Sequence, residues 1–308
     1  MVKVKIREMT IGKRLARDRW LYLLLAPGLL YFIIFKLIPM FGVMIVFQEY
    51  NPFTGFLDSP FVGLKHFQKF FGGKDFFKLF SNTICISLLN IVFYFPMPIV
   101  LSLLLNEIRH ERYKRSVQTL VYVPHFLSWV IVASISYVLL TTDGGIVNGL
   151  IQNFGGSKIR FLEAKEWFRP LIVIQSVWKE TGWGTIIFLA ALAGVDMEQY
   201  EAAIVDGAGR FRQVWHITLP AIKGTIIILL ILRMGSVLNT GFDQIFLMSN
   251  SVNRSVSDVF DVYTYRKGLI DGSYSFSAAV GLFKAVIGMV LVYTTNWIAK
   301  RAGESGIF

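Results

Sequence analysis

The feature that most constrains this chain is a set of long, nearly uncharged stretches, at residues 20–47, 82–105, 117–140, 170–192, 221–242 and 278–298. Each reaches or approaches the roughly 20 residues a helix needs to cross the hydrocarbon core of a bilayer. Lipid offers no hydrogen bonds to a bare backbone, so a spanning segment of this kind must satisfy its peptide groups internally, as a helix does. Charged residues make up only 17% of the 308, and mean hydropathy is +0.56. An average soluble domain carries about 25% charged residues. The expected fold class is an all-α integral membrane protein with six transmembrane helices.

Lys3, Lys5, Arg7, Lys13, Arg14, Arg17 and Arg19 precede the first apolar stretch. That stretch is longer than the apolar part of a signal peptide and lacks a small-residue cleavage site, so it is expected to stay as the first membrane helix. Lys36 and Pro39 should kink it near its outer end. Pro96 and Pro98 fall in the second stretch, and Pro124 with His125 in the third. Neighbouring helices can satisfy the carbonyls that such prolines release.

Six crossings place both termini on one side. Basic residues concentrate in the N-terminal arm, in 106–116 (Arg109, Arg112, Lys114, Arg115), in 195–220 (Arg210, Arg212) and at Lys300 and Arg301. Those segments, and both termini, are expected in the cytoplasm; 48–81, 141–169 and 243–277 are expected outside. The net charge of +11 then records orientation and contact with lipid head groups, with no nucleic acid as partner. Cys85, the one cysteine, is expected to be a small core side chain.

The segment from Asp196 to Pro220 is too long and polar for a simple turn. Asp196 can cap a helix with Gln199 reaching back, and Met197, Tyr200 and Ile204 then share a face. Asp206-Gly207 should end that helix, since glycine accepts the positive φ of a sharp turn. A second short helix should gather Phe211, Val214 and Trp215, and Pro220 suits the first turn of the fifth span. Two amphipathic helices joined at a glycine and held against the cytoplasmic membrane face could receive force from a soluble partner.

The run Glu201-Ala202-Ala203, three residues, Gly207, nine residues, Ile217, one residue, Leu219-Pro220 resembles the EAA loop of binding-protein-dependent ABC importer permeases at every consensus position. Asp206 and Ala208 match the form common in sugar-importing members. Trp178-Lys179-Glu180-Thr181-Gly182-Trp183-Gly184 and Pro27-Gly28 with Lys36, Ile38 and Pro39 resemble the branch for oligosaccharides and polysaccharide fragments. The resemblance spans roughly residues 15–300. It implies the type I ABC importer permease fold in a bacterial cell membrane. Residues 1–80 would be an arm, an accessory first helix and an external loop, and 81–300 the permease domain with its coupling loop at 195–220. It further implies that Glu201, Ala202, Ala203, Asp206, Gly207, Ala208, Ile217, Leu219 and Pro220 form the coupling element. The alanines would allow close approach, Glu201 would offer a charge-assisted hydrogen bond to the ATPase, and Gly207 would set the turn. The implied partners are a homologous permease, two ATP-binding-cassette ATPase subunits, an extracellular solute-binding lipoprotein, a sugar and the surrounding lipid. An amphipathic helix lying on the membrane without a partner is the plain alternative for this segment.

The phosphate-cradling sequence G-x-x-x-x-G-K-[ST] is absent, Gly73-Lys74 being followed by Asp75, so ATP and magnesium are expected on a partner ATPase, with no cofactor on this chain. His66, His110, His125 and His216 show no metal-ligand spacing, and neither a metal site nor an enzyme activity is expected.

Charges inside membrane spans usually face the bundle interior or an aqueous cavity. Ser176, Lys179, Glu180 and Trp183 share one face of the fourth span at helical spacing, and Arg233, Ser236, Val237 and Thr240 one face of the fifth. Two readings stay open. These faces line a translocation path, with Trp178, Trp183, Asn239 and Phe242 offering aromatic and hydrogen-bonding contacts to sugar; or Glu180 and Arg233 form an ion pair that fixes helix packing. Lys284 is expected to snorkel to the interface. An ion-coupled secondary transporter using Lys179, Glu180 and Arg233 is the rival function; it calls for inverted repeats and broken helices, which the sequence does not display. A membrane-embedded glycan-processing enzyme is a third, without a recognisable catalytic constellation.

Overall fold

The computed structural model describes residues 17–304, 306 and 307. The arm residues Lys3 to Arg14 lie outside the described residues. Contacts divide the chain into a unit ending at His66 and a unit beginning at Phe67.

The first unit contains α1, Arg19–Phe47, apolar over most of its length and buried only at Val46. The segment beyond it folds on itself: Gln48 and Phe61 form an isolated antiparallel bridge, Lys65 pairs with Glu49 at 2.5 Å, and His66 Nε2 lies 3.0 Å from the Gln48 carbonyl.

The second unit is helical, with no strand among its described residues. Its main elements are α2 (Phe76–Asn106), the bent pair α3 (Glu111–Phe126) and α4 (Trp129–Leu140), α5 (Lys165–Leu192), α6 (Met197–Val205), α7 (Arg210–Gly235), α8 (Phe242–Met248), α9 (Phe260–Tyr265) and α10 (Tyr274–Arg301). Four helices, α1, α2, α7 and α10, are long and apolar enough to cross a membrane, and α3 with α4 makes a fifth if the bent pair counts as one span. α5 covers the expected fourth span and has the length, 28 residues, but carries more charge.

Prolines explain three departures from regular helix. Wide π-turns occupy Ile33–Leu37, Asn90–Tyr94 and Val214–Thr218. Their central residues, Phe35, Val92 and His216, stand four before Pro39, Pro96 and Pro220. In a regular helix the proline ring collides with the carbonyl four residues back and leaves it without a donor; widening that turn relieves the collision and lets the helix continue. Pro220 stands in the first turn of the regular helix Leu219–Gly235, as expected, but the wide turn before it joins that helix to Arg210–Gln213, so that α7 runs on without a break from the preceding segment.

Two expected spans are broken. The third turns through 99° between α3 and α4. Leu127 and Ser128 are extended there, and the Ser128 hydroxyl caps the next helix by accepting from Ile131 N. The fifth ends at Gly235; residues 236–241 are non-helical, and Gly241 at φ +89° starts α8. Ser236 and Thr240 consequently do not continue the Arg233 face. Unwound backbone at membrane depth needs protein partners. It has them: Ser87 Oγ donates to the Val237 carbonyl, and Thr240 N donates to Asp261 Oδ2 at 3.1 Å. Lys284 pairs with Asp261 instead of snorkelling. Much of 243–277, expected as an external loop, is instead bundle core, with Ile245, Met248, Val259, Phe260 and Val262 buried.

α5 is the central strut, packing against α2, α3, α7 and α8. Ile172 and Phe168 join Ile86, Ala133, Ile245 and Val259 in one apolar cluster, and Phe188 and Leu192 join Ile222 in another. Buried amides tie the same helices: Gln175 donates to Ser136 Oγ at 2.7 Å, and Gln244 donates to the Ile172 carbonyl at 2.8 Å and to Gln175 Oε1 at 3.0 Å. Small residues set the closest approaches. A Cβ at Gly182 would fall inside the Val121 carbonyl, and one at Gly288 inside that of Gly235. Gly182→Val should therefore separate α5 from α3 and lower the detergent melting temperature and membrane abundance, with an overpacking cost of at least about 1–3 kcal/mol. Gly149→Ala, where a Cβ meets nothing within 4 Å, should leave both unchanged.

Candidate functional site

The segment expected to form the coupling element folds as the sequence suggests at its glycine. Asp196 caps α6, its carboxylate accepting from Glu198 N at 3.0 Å; Gln199 is not part of that cap. At the far end Gly207 has φ +74°, the Ala208 N–H donates to the Ala203 carbonyl at 2.8 Å, and Gly207 N donates to Ile204 O at 3.0 Å. This left-handed termination turns the chain sharply and returns the last helical carbonyls to donors. Gln213 Nε2 donates to the Ala208 carbonyl at 2.8 Å, and the Tyr200 hydroxyl meets Thr218 Oγ1 at 2.9 Å, so the elbow is bonded across to the start of α7. Arg210 and Glu107 approach to 3.7 Å, an exposed pair of small energetic weight.

What the elbow leaves bare is apolar. Ile204 is 63% exposed, Val205 87%, Phe211 81% and Trp215 61%, and Glu201 and Ala202 are exposed beside them. Of the face expected from Met197, Tyr200 and Ile204, only Tyr200 is anchored. Ile217 is half-buried in the wide turn, Leu219 packs against the Phe188 cluster, Pro220 is exposed, and Asp206 ends α6.

The intramembrane charges are arranged differently from either sequence expectation. Lys179, 5% exposed, donates from Nζ to the His125 carbonyl at 2.7 Å and lies 3.0 Å from Glu180 Oε1. It also stands 5.2 Å from the centre of the Trp129 ring. Glu180 Oε2 is 2.7 Å from His125 Nδ1, and the His125 ring stacks on Trp183 at 4.5 Å with 6° between planes. Glu180 thus pairs with Lys179 and His125, not with Arg233. Arg233 makes no ion pair among the described residues; its guanidinium stands 6.0 Å from the centre of the Tyr94 ring. Tyr94 also borders α5, where a Cβ on Gly184 would lie 3.9 Å from its hydroxyl.

The other predicted path residues disperse. Ser176 is buried, its single hydroxyl proton within reach of both the Ile172 carbonyl at 2.9 Å and Gln244 Oε1 at 3.2 Å, and belongs to the packing network. Ser236 donates to the Arg233 carbonyl, Asn239 is exposed on the unwound segment, and Thr240 is buried. Phe242 stacks with Phe246 and contacts Tyr265. Trp178 lines a wholly apolar groove of about 640 Å³ with Leu89, Phe93, Met97 and Ile174, a surface suited to lipid tails rather than to a polar ligand. His125, Tyr94 and Trp129 escaped the sequence reading. Pro124 followed by Ser128, a helix breaker and then a cap, is the signal that would have marked the turn holding His125.

Residues 95–304 match the family of binding-protein-dependent transport system inner membrane components, and the chain belongs to it. It is 59% identical to Protein LplB of Bacillus subtilis, over 96% of this chain and 92% of that protein. It is 54% identical to the polygalacturonan/rhamnogalacturonan transport system permease protein YteP of the same organism, over the same shares. A solved bacterial alginate ABC transporter, in complex with an alginate pentasaccharide-bound periplasmic protein, contains a chain superimposing with a TM-score of 0.89 at 37% identity, covering 96% of this chain and 99% of that one. The chain is therefore a multi-pass permease of the cytoplasmic membrane, a transport subunit rather than an enzyme. The ion-coupled rival falls with that assignment, although the broken helices it called for do occur.

Because Lys179 and Glu180 are held by one another and by His125, Lys179→Met should destabilise the bundle by about 3–5 kcal/mol, leaving a carboxylate and a helix-end carbonyl short of partners. Lys179→Met with Glu180→Gln should recover part of that loss. Thermal unfolding in detergent across the double-mutant cycle reads the coupling directly.

Proposed function

We propose that this permease carries oligosaccharides or polysaccharide fragments inward, driven by ATP hydrolysed on partner ATPase subunits, with the α6 elbow as its coupling element. The observation that carries this is the elbow: a short helix stopped by Gly207 at φ +74° that leaves Ile204, Val205 and Phe211 bare. Uncovered apolar side chains clustered on a bonded, projecting element mark a protein contact. Glu201 and Ala202 lie on the same exposed element, the alanine permitting close approach and the carboxylate a charge-assisted hydrogen bond. The saccharides named for the relatives support the substrate class. A homologous permease, two ATPase subunits and an extracellular solute-binding lipoprotein complete the assembly, and residues 81–300 are its permease domain.

ATP binding would draw the two coupling elbows together and open the cavity outward to a loaded binding protein; hydrolysis would return it inward. Each ligand can drive this only by binding one state better than the other. His125, Glu180, Trp183, Tyr94 and Arg233 are the residues of the path.

Gly207→Val places a β-branched side chain at a left-handed backbone position, costing about 1–3 kcal/mol locally. Combined with Glu201→Lys it should leave membrane level and permease pairing intact while abolishing ATPase association or substrate-stimulated hydrolysis. Wild-type uptake by the double variant would overturn the coupling role. For orientation, cysteines at Lys13 and Ser305, both outside the described residues, should resist an impermeant thiol reagent in intact cells, whereas one at Ser157 should react; labelling at Lys13 from outside reverses the topology.

A further inference from the structure

Arg233 is left over when the charges of the path are paired. Glu180 holds Lys179 on one carboxylate oxygen and His125 on the other, and Arg233 is not among its partners. Arg233 donates no hydrogen bond among the described residues, and no carboxylate there lies within ion-pair distance; Tyr94 is the aromatic face it meets. It stands in the last turn of α7, where the carbonyl end of the helix favours a cation, immediately before the unwound segment that bears Asn239. A guanidinium at membrane depth with five unused donors is tolerated when it faces an aqueous path or meets an anion. Of the charged residues named for the path, Lys179 and Glu180 are paired with each other and Arg233 has no carboxylate partner among the described residues.

We propose that Arg233 is the receptor for a carboxylate on the transported saccharide, and that the permease passes uronic-acid-containing oligosaccharides. The planar fork of arginine matches a carboxylate with two parallel N–H···O bonds, which no neutral sugar hydroxyl reproduces. Tyr94 beside it and Trp183 on the facing helix, 48% exposed, supply flat surfaces against which the C–H face of a sugar ring can rest. One cation, and not several, suits a path: the site holds each uronate in turn and releases it, since the charge of Glu180 stays locked in its own pair. The proposal rests on the import reading above.

The test uses the complete transporter with its binding protein in proteoliposomes, offered galacturonate oligomers of two to five units and the same oligomers with their carboxyls reduced to alcohols. The acidic oligomers should be taken up at least tenfold faster than the reduced ones. Arg233→Gln should lower acidic uptake at least tenfold and erase that preference, and Arg233→Lys should retain part of it, because the charge survives and the fork does not. Equal uptake of both series by the unaltered transporter would overturn the proposal, as would an Arg233→Gln variant that keeps the preference. So would an Arg233→Gln variant that assembles only after an acid on the second permease is also neutralised, which would make Arg233 one half of a subunit ion pair. If only neutral saccharides are imported, the proposal falls and the import reading stands; if no saccharide of either kind is taken up or stimulates ATP hydrolysis, the import reading falls first.

Discussion

The Lys179 ammonium on the His125 carbonyl is the contact on which the arrangement of this bundle depends. A helix that turns through 99° inside a membrane leaves carbonyls at the end of its first half with no N–H to receive, and lipid cannot supply one. Lys179 reaches across from the central helix to fill that place and is neutralised in turn by Glu180. The same stretch of α5 brings Gly182 against the Val121 backbone, an approach that any side chain would prevent. Position and satisfaction are thus set together: the glycine lets the helices close, and closure carries the cation to the broken end. His125 and Trp183 stack because this closure holds them face to face.

The second break obeys the same rule with different donors. Val237 and Leu238 of the unwound residues 236–241 pack among Phe70, Leu79, Phe260 and Val280, with Ser87 donating to one carbonyl of the segment and Asp261 receiving one amide. Lys284 balances Asp261, so that a lysine able to reach the interface is drawn inward by a carboxylate that itself serves the backbone. Gln175 and Gln244, with Ser136 and Ser176, bind the breaks to the central helix through amide hydrogen bonds. Between helices in lipid such bonds and close packing of small residues take the place that hydrophobic burial holds in water.

The sequence disclosed those features whose cause is local. Asp196 as a cap, Gly207 as a left-handed stop and the apolar lengths of α2, α7 and α10 each follow from a few consecutive residues, and the structure has them. The breaks did not show, because neither 126–129 nor 236–241 carries a charge that would interrupt an uncharged stretch; what marks them is a proline three residues before a break, a capping serine and a glycine, each of which also occurs in unbroken membrane helices. Pairing was hidden for a different reason. Lys179 and Glu180 are neighbours in sequence and point the eye to a distant partner such as Arg233, whereas the histidine that completes their set stands 54 and 55 residues earlier and is fixed only by the fold. Ser176 shares the helical face of Lys179, and both are buried, but Ser176 meets Gln244 while Lys179 meets the His125 carbonyl and Glu180, a difference that only the neighbouring helices decide.

The elbow and the path are joined by one element. α7 begins at Arg210 beside the Gly207 turn and ends at Gly235 just past Arg233, so about 35 Å of helix at 1.5 Å per residue links the proposed ATPase contact to the proposed carboxylate receptor. A rigid rod would transmit any displacement of the elbow to Arg233 in full. This rod has a wide turn at Val214–Thr218, placed by Pro220, within the part that Tyr200 and Gln213 tie to the elbow. The helix can yield at that turn while its upper length, packed on α10 through Gly235 and Gly288, keeps its register. Movement of the elbow would then emerge at Arg233 as a tilt about the glycine contact, altering the distance from its guanidinium to Tyr94 and to α5 behind it. A carboxylate held in that space would be gripped in one tilt and released in the other, which is what coupling of ATP binding to passage of an anion requires.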